Sequence, residues 1–135
     1  MVKITQSLIG EGPEIAHIDL VIGPKGRAVE SAFMTSLATP SIKNVSQAGL
    51  IFASAQASIA KAVMDSVEEG LILKEEAENL LIIVSVFVEW DAKDKDKVYK
   101  FNYEATKLAI KRAVSGKPTV EDALAKKNSA HHPFA

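Results

Sequence analysis

The stretch EIAHIDLVIG, from Glu14 to Gly23, decides the fold, because its side chains change character at every second position. Successive side chains of a β-strand point to opposite faces, so this alternation predicts a strand with two different faces. The face predicted to lie against helices is wholly apolar and comprises Ala16, Ile18, Leu20 and Ile22. The other face carries two residues that are unusual in so apolar a segment, His17 and Asp19.

The neighbouring sequence supplies two further strands. VKITQSLIG, from Val2 to Gly10, predicts a first strand, and the turn-rich GEGPE joins it to the second strand as a hairpin. LLIIVSVFVEW, from Leu80 to Trp90, predicts a central strand, because it is apolar on both faces, as a sheet covered by helices requires.

Helical patterns fill most of the remaining chain. Apolar spacing predicts helices over residues 27–38, Val45–Glu69 and Val98–Gly116, the last two ended by a glycine. KEEAENL is predicted as a short helix or turn, DAKDKDK as a solvated connector, and TVEDALAKK as a last short helix capped by Thr119. This mixed order predicts one domain over residues 1–135 with an α/β (α+β) two-layer fold, a mixed sheet covered by helices.

Composition narrows the class of protein. The 135 residues are 47% hydrophobic and 24% charged, with a net charge of −1 and no cysteine. This balance gives no electrostatic basis for binding nucleic acid or an anionic membrane, and the absence of thiols excludes disulfides and cysteine nucleophiles. The N-terminus lacks a signal-peptide pattern, and the longest apolar run, LLIIVSVFV, is too short to span a bilayer. A cytoplasmic protein is therefore expected.

His17 and Asp19 are the first candidates for chemistry. A rise of about 3.3 Å per residue puts them about 7 Å apart along one face of the strand. A carboxylate at that distance favours the imidazolium, which suits a general acid working near neutral pH. The alternative is a solvent-facing strand surface with an incidental ion pair, and a single His–Asp pair does not separate the two.

Other motifs are less specific. GPKG could present backbone N–H groups and Lys25 to an anion, but an ordinary strand-to-helix turn explains it equally well. Gln56 is a polar residue in an Ala/Ser-rich helix, where small neighbours would admit a ligand or another helix. His131 and His132 are adjacent, which is not the spacing of metal ligands, and they are assigned to a tail; no metal site is predicted.

Three segments resemble the formaldehyde-activating enzyme family: GEGPEIAHIDLVIGPKG, SVFVEWDAKDKDKVYKFNYEATKLAIKRAV and the terminal SAHHPFA. The resemblance covers nearly the whole chain, from Lys3 to Ala135. It implies a fold similar to the second domain of ribosomal protein S5 and assembly as a homopentamer. It further implies a lyase that joins formaldehyde to tetrahydromethanopterin, its co-substrate, in clefts between subunits, with no tightly bound cofactor.

The resemblance implies roles for four residues. His17 matches the family's proposed catalytic histidine, and Asp19 and Gln56 match an aspartate and a glutamine that contact the substrate. Ser41 replaces a substrate-contacting threonine and keeps its hydroxyl. His17 would then protonate the leaving oxygen of a carbinolamine, Asp19 would hold it charged and oriented, and Gln56 and Ser41 would position the pterin.

The chain departs from the family between Leu37 and Ser41, where a segment of roughly two dozen residues, predicted to be a β-hairpin, is missing. Thr39 stands where the family has a pterin-contacting lysine, a pterin-contacting leucine has no counterpart, and Ala53 and Ser54 replace a Gly-Pro pair. Two hypotheses stay open: the lyase itself, and a non-catalytic or repurposed paralogue that binds a pterin or formaldehyde as an oligomeric module.

Overall fold

The computed structural model describes residues 2–26 and 45–116, together with positions 121, 124 and 125. Its three strands form one antiparallel sheet in the order β1-β2-β3, with bounds Lys3–Ile9, Ala16–Pro24 and Leu80–Phe87. A 3-10 turn over Gly12–Glu14 joins β1 to β2. The predicted hairpin is therefore confirmed.

The two faces of β2 differ as the alternation predicts. The apolar face is buried along its whole length and comprises Ala16, Ile18, Leu20 and Ile22. On the other face His17 is partly exposed and Asp19 is exposed. Because only one face of β2 buries its apolar side chains away from water, the sheet has a core face and an outer face. The candidate residues lie on the outer face.

Helices cover the core face. α1 (Val45–Gly49), a π-helical segment (Leu50–Ala55) and α2 (Gln56–Glu68) follow one another without a break; α3 is Lys74–Ala77 and α4 is Lys95–Ser115. The main hydrophobic cluster joins the buried face of β2 to Ile59 of α2 and to Ala105, Ala109 and Ile110 of α4. The described part of the chain thus has one sheet layer and one helix layer, which confirms the two-layer α/β prediction.

Two hydroxyl groups fix the register between β1 and α4. The Oγ atom of buried Ser7 donates to the carbonyl oxygen of Ala105 at 2.6 Å, and Oγ1 of Thr5 donates to that of Ala109 at 2.9 Å. Both polar groups face the helix, so these bonds satisfy them inside the interface and remove the cost of leaving them unpaired there.

The last long helix begins earlier than predicted. The carboxylate of Asp94 accepts hydrogen bonds from the amides of Asp96 and Lys97, at 3.0 and 3.1 Å, which makes Asp94 the N-cap of α4. The prediction placed the start at Val98 because the exposed first turn carries no apolar pattern. The predicted ends are confirmed to within one residue: α2 ends at Glu68, two residues before Gly70, and α4 ends at Ser115, directly before Gly116.

The prediction of a central strand over Leu80–Trp90 is wrong for the described sheet. There β3 pairs with β2 alone, so β2 is the central strand and β3 lies at an edge. The predicted helix over 27–38, the cap at Thr119, and the tail fall outside the described residues. The likeness to ribosomal protein S5 stays a prediction.

One helical stretch, Ser46–Glu68, is long and apolar enough by length and composition alone to cross a membrane. A third of its apolar window is buried in the protein, and its buried residues Ser58, Ile59, Ala62 and Ser66 are part of the packed interior. Core helices of soluble proteins meet the same two criteria.

Candidate active site

His17 and Asp19 approach each other on the outer face of β2. The Nε2 atom of His17 lies 3.5 Å from Oδ1 of Asp19, so the ends of the two side chains approach each other on this face. The side chain of His17 is 27% exposed and that of Asp19 is 53% exposed. The pair is thus close enough to interact electrostatically and open enough for a ligand to reach it.

The sheet register surrounds this pair with two contrasting rows of side chains. His17 is the cross-strand partner of Leu8 on β1 and of Phe87 on β3, which gives an apolar side chain on either side of the imidazole. Asp19 is the partner of Gln6 and Ser85, which gives a polar row one step along the strands. Directly opposed residues of an antiparallel pair share one face, with Cβ atoms about 4.5–5.5 Å apart. The outer face therefore offers an apolar row that contains the imidazole of His17, next to a row of hydrogen-bonding groups.

Glu14 links the end of the sheet that carries His17 to the segment before α4. Its Oε1 atom accepts hydrogen bonds from the amides of Lys93 and Asp94, at 3.2 and 3.1 Å. The hydrogen bond from the Asp94 amide is the main reason that the pKa of Glu14 is lowered, and the Lys93 amide adds to it. Since Glu14 immediately precedes the buried residue Ile15 and β2, this contact ties the start of the central strand to the N-terminus of α4.

Gln56 lies in the other layer of the molecule, at the same end of the sheet. It is the first residue of α2 and is exposed, while Ile59, one turn further on, packs into the core. The side-chain amide of Gln47, on α1, donates to the carbonyl oxygen of Val88 at 3.4 Å. Val88 directly follows Phe87, the strand partner of His17. The structure thus brings His17 and Asp19 together and places Gln56 behind the sheet that carries them. Ser41 lies outside the described residues.

Ser54, one of the residues that replace the family pattern, has a structural contact. Its hydroxyl donates to the carbonyl oxygen of Lys95 at 2.7 Å and so links the π-helical segment to the first turn of α4. A π-helical segment leaves the regular hydrogen-bonding ladder, and such segments occur often at functional sites. This one ends at Ala55, directly before Gln56.

A cavity lies at the opposite end of the described sheet from this pair. It has a volume of about 300 Å³ and is lined by residues of the far sheet end and the helix ends around it, including Lys3, Ile22, Leu73 and Val114. Ile22 is five residues from His17 along β2, which corresponds to about 17 Å, and it points to the core face. The cavity is therefore separate from the His–Asp pair. The described residues contain no group of three or more acidic, histidine or cysteine side chains that could hold a metal ion.

Sequence reasoning missed the cross-strand neighbours of the pair. Leu8 and Phe87 are more than a third exposed although both are large and apolar. The signal that could have found them is the alternation within each strand, which assigns a face to every residue. Alternation alone does not give the register, and without the register neither residue can be placed beside His17.

The described chain is a two-layer α/β protein with an accessible imidazole–carboxylate pair on its outer sheet face. The profile described as Formaldehyde-activating enzyme (Fae) matches residues 4–42 and 37–135. The chain belongs to this family.

Curated relatives support the assignment. The chain is 58% identical to a 5,6,7,8-tetrahydromethanopterin hydro-lyase of Methanosarcina barkeri, with 98% of this chain and 89% of that protein covered. It is 46% identical to a bifunctional enzyme Fae/Hps of Methanothrix thermoacetophila and 42% identical to one of Archaeoglobus fulgidus, again over 98% of this chain. It spans about two fifths of those two longer proteins, at 41% and 40% of their lengths.

The same comparisons bear on the missing segment. The alignment with the Methanosarcina barkeri protein runs over 159 positions while this chain has 135 residues, so at least 24 positions lie opposite a gap in this chain. The two stretches that match the family profile meet at residues 37–42. Size and place agree with the predicted loss between Leu37 and Ser41, and the hairpin structure of the lost segment stays a prediction.

Proposed function

We propose that this chain is a hydro-lyase that condenses formaldehyde with tetrahydromethanopterin, or a related reduced pterin, to the methylene derivative with loss of water. The observation that carries the proposal is the 58% identity to a relative of that name over nearly the whole chain. The accessible His17–Asp19 pair supports it, because the reaction needs a proton donor at a site that a ligand can reach. The non-catalytic paralogue is not favoured by this degree of identity.

The chemistry requires one well-placed acid. A pterin nitrogen adds to formaldehyde and gives a carbinolamine. Protonation of its hydroxyl by His17 releases water and leaves an iminium, and the second nitrogen then attacks this carbon and loses a proton as the methylene bridge closes. General acid catalysis of such a step is worth about 10²–10⁴-fold. These steps need neither a metal ion nor a tightly bound cofactor.

The other site residues position the substrate. The Asp19 carboxylate lies 3.5 Å from the imidazole, where it can orient the ring, and it is exposed enough to bond the pterin as well. Gln56 and Ser41 complete the proposed contacts. Because Gln56 lies in the layer behind the sheet of its own chain, it would act most simply across a subunit boundary, in a cleft of the proposed homopentamer. We propose that this assembly is cytoplasmic.

The test compares enzymatic with spontaneous condensation. Purified protein is mixed with formaldehyde and tetrahydromethanopterin, and the rate is measured for the wild type, His17→Ala and His17→Gln. We expect acceleration by the wild type and a loss of about 10²–10⁴-fold in kcat in both variants, because glutamine keeps a hydrogen-bonding group but cannot act as an acid. Circular dichroism checks that both variants are folded. If the wild type fails to accelerate condensation with every reduced pterin tested, the proposal is contradicted and the non-catalytic paralogue is favoured instead.

A further inference from the structure

Phe87 occupies an unusual position for a large apolar side chain. It is the last residue of β3 and the direct cross-strand partner of His17, and the residue is 40% exposed. Burial of a phenylalanine side chain is favourable by about 1.5–3 kcal/mol, so a ring left partly in water beside a candidate catalytic group calls for a physical reason.

The surroundings of Phe87 fit one kind of occupant. Leu8 flanks the imidazole on its other side and is 36% exposed, so His17 lies between two accessible apolar side chains. The adjacent row of Gln6, Asp19 and Ser85 offers hydrogen-bonding groups within one step of the same surface. A flat heterocycle with polar edges needs this combination: an apolar surface for its face, polar groups for its edge and an acid beside its reacting nitrogen.

We propose that Phe87 is a pterin-binding residue, whose ring packs against the flat pyrimidine half of the reduced pterin. This inference rests on the proposed function and deepens it. Aromatic rings pack on one another in offset or edge-to-face arrangements, which contribute binding free energy beyond the burial of apolar area. Phe87 therefore sets the affinity for the pterin and leaves the proton transfer to His17.

The chain offers a matched control for this test. Val86, the residue before Phe87, is 36% exposed, and its strand partner is the fully buried Ile18, so it faces the other side of the sheet. Phe87→Ala and Val86→Ala truncate neighbouring, similarly exposed apolar residues of one strand. Any general loosening of β3 affects both variants, whereas loss of a pterin contact affects Phe87→Ala alone.

Steady-state kinetics with tetrahydromethanopterin and formaldehyde varied in turn give the readout. We expect Phe87→Ala to raise the KM for tetrahydromethanopterin roughly tenfold, from the lost aromatic contact and buried area, and to leave the KM for formaldehyde and kcat within about threefold of wild type. Phe87→Tyr should restore the KM, Phe87→Leu should give an intermediate value, and Val86→Ala should resemble the wild type.

Two results overturn the inference. A wild-type KM for the pterin in Phe87→Ala shows that the ring makes no useful contact with it. A Phe87→Ala protein that dissociates in analytical ultracentrifugation, and whose activity returns at high protein concentration, shows that the ring packs against a second copy of the chain instead. Both results leave the proposed function intact, because that proposal fails only when the wild type itself gives no acceleration.

Discussion

Nε2 of His17 lies 3.5 Å from Oδ1 of Asp19, with both side chains partly exposed to water. Ion pairs in such surroundings contribute about 0.2–1 kcal/mol, because water screens the charges. A change of about 1 kcal/mol in the activation free energy would change kcat by a factor of about five. The help that Asp19 gives to His17 through charge alone is therefore modest, and a larger effect of Asp19 must come from contact with the substrate.

Substitution of Asp19 by asparagine separates these two roles. We expect Asp19→Asn to lower kcat less than about fivefold, because only the screened attraction to the imidazole is lost. The KM for tetrahydromethanopterin should rise, because a charged acceptor is replaced by a weaker neutral one. Steady-state kinetics at one pH measure both values. A fall in kcat as large as that of His17→Ala would contradict this division of roles.

The sequence predicted the central hairpin correctly because the two faces of β2 differ. Every second residue is apolar and buried, and the interruptions at His17 and Asp19 lie on the side without a helix layer in the described chain. The same reasoning wrongly predicted that β3 is a central strand, because its outer face is itself apolar at Ile83 and Phe87. A half-covered edge strand with an apolar outer face has the same continuous apolar pattern as a central strand covered on both sides.

Only the part of the candidate site that lies on a single strand could be predicted from the sequence. His17 and Asp19 share one strand, so their common face follows from alternation. The positions of Leu8 and Phe87 on either side of His17 depend on pairing between distant segments, which no local pattern contains. The π-helical segment before Gln56 was also not predicted. Its six residues form little more than one turn, which is too short for a changed apolar spacing to be recognised in the sequence.

Gly10, which follows β1 at the His17 end of the hairpin, should not tolerate a side chain. Its φ is +101°, and a Cβ atom there would lie 2.5 Å from Cδ2 of the Phe101 ring. We expect Gly10→Ala to lower the free energy of unfolding by about 2–4 kcal/mol, from backbone strain together with overpacking. Urea denaturation measures this loss.

Gly12 is the matched control for this substitution. It also has a positive φ, +67°, but a Cβ atom there would approach nothing closer than 3.9 Å. Gly12→Ala therefore carries the backbone cost alone, about 1 kcal/mol. Equal losses in the two variants would show that the Phe101 ring moves aside without cost.

The contact of Glu14 with the amides of Lys93 and Asp94 should make stability depend on pH. Its pKa is lowered in the folded protein, chiefly by the hydrogen bond from the Asp94 amide, so the carboxylate stabilises the fold above the ordinary pKa of glutamate, 4.5. This stabilisation is lost as the pH falls through the lowered value of the folded state. We expect Glu14→Gln to be less stable than wild type by about 1 kcal/mol at neutral pH. The difference should shrink below the ordinary pKa, and denaturation midpoints that differ equally at all pH values would contradict it.

Asp65 on α2 accepts a hydrogen bond at 2.6 Å from the Tyr103 hydroxyl of α4, which links the two helices. It also accepts one at 2.7 Å from Nζ of Lys61, one turn earlier on α2. The bond to this carboxylate is the main reason that the pKa of Tyr103 is raised above its usual value of 10, because the phenol must give up a proton that Asp65 holds. We expect Asp65→Asn to lower this pKa, measured by tyrosinate absorbance in a Tyr99→Phe background that removes the chain's other tyrosine. Glu69→Gln is the control: Glu69 also raises the pKa of Tyr103, but through charge alone and as the smallest contribution, so its removal should lower the midpoint less. If Asp65→Asn left the midpoint of Tyr103 unchanged, the hydroxyl would not be bonded to Asp65 in solution, and the two helices would be held together by their apolar contacts without this link.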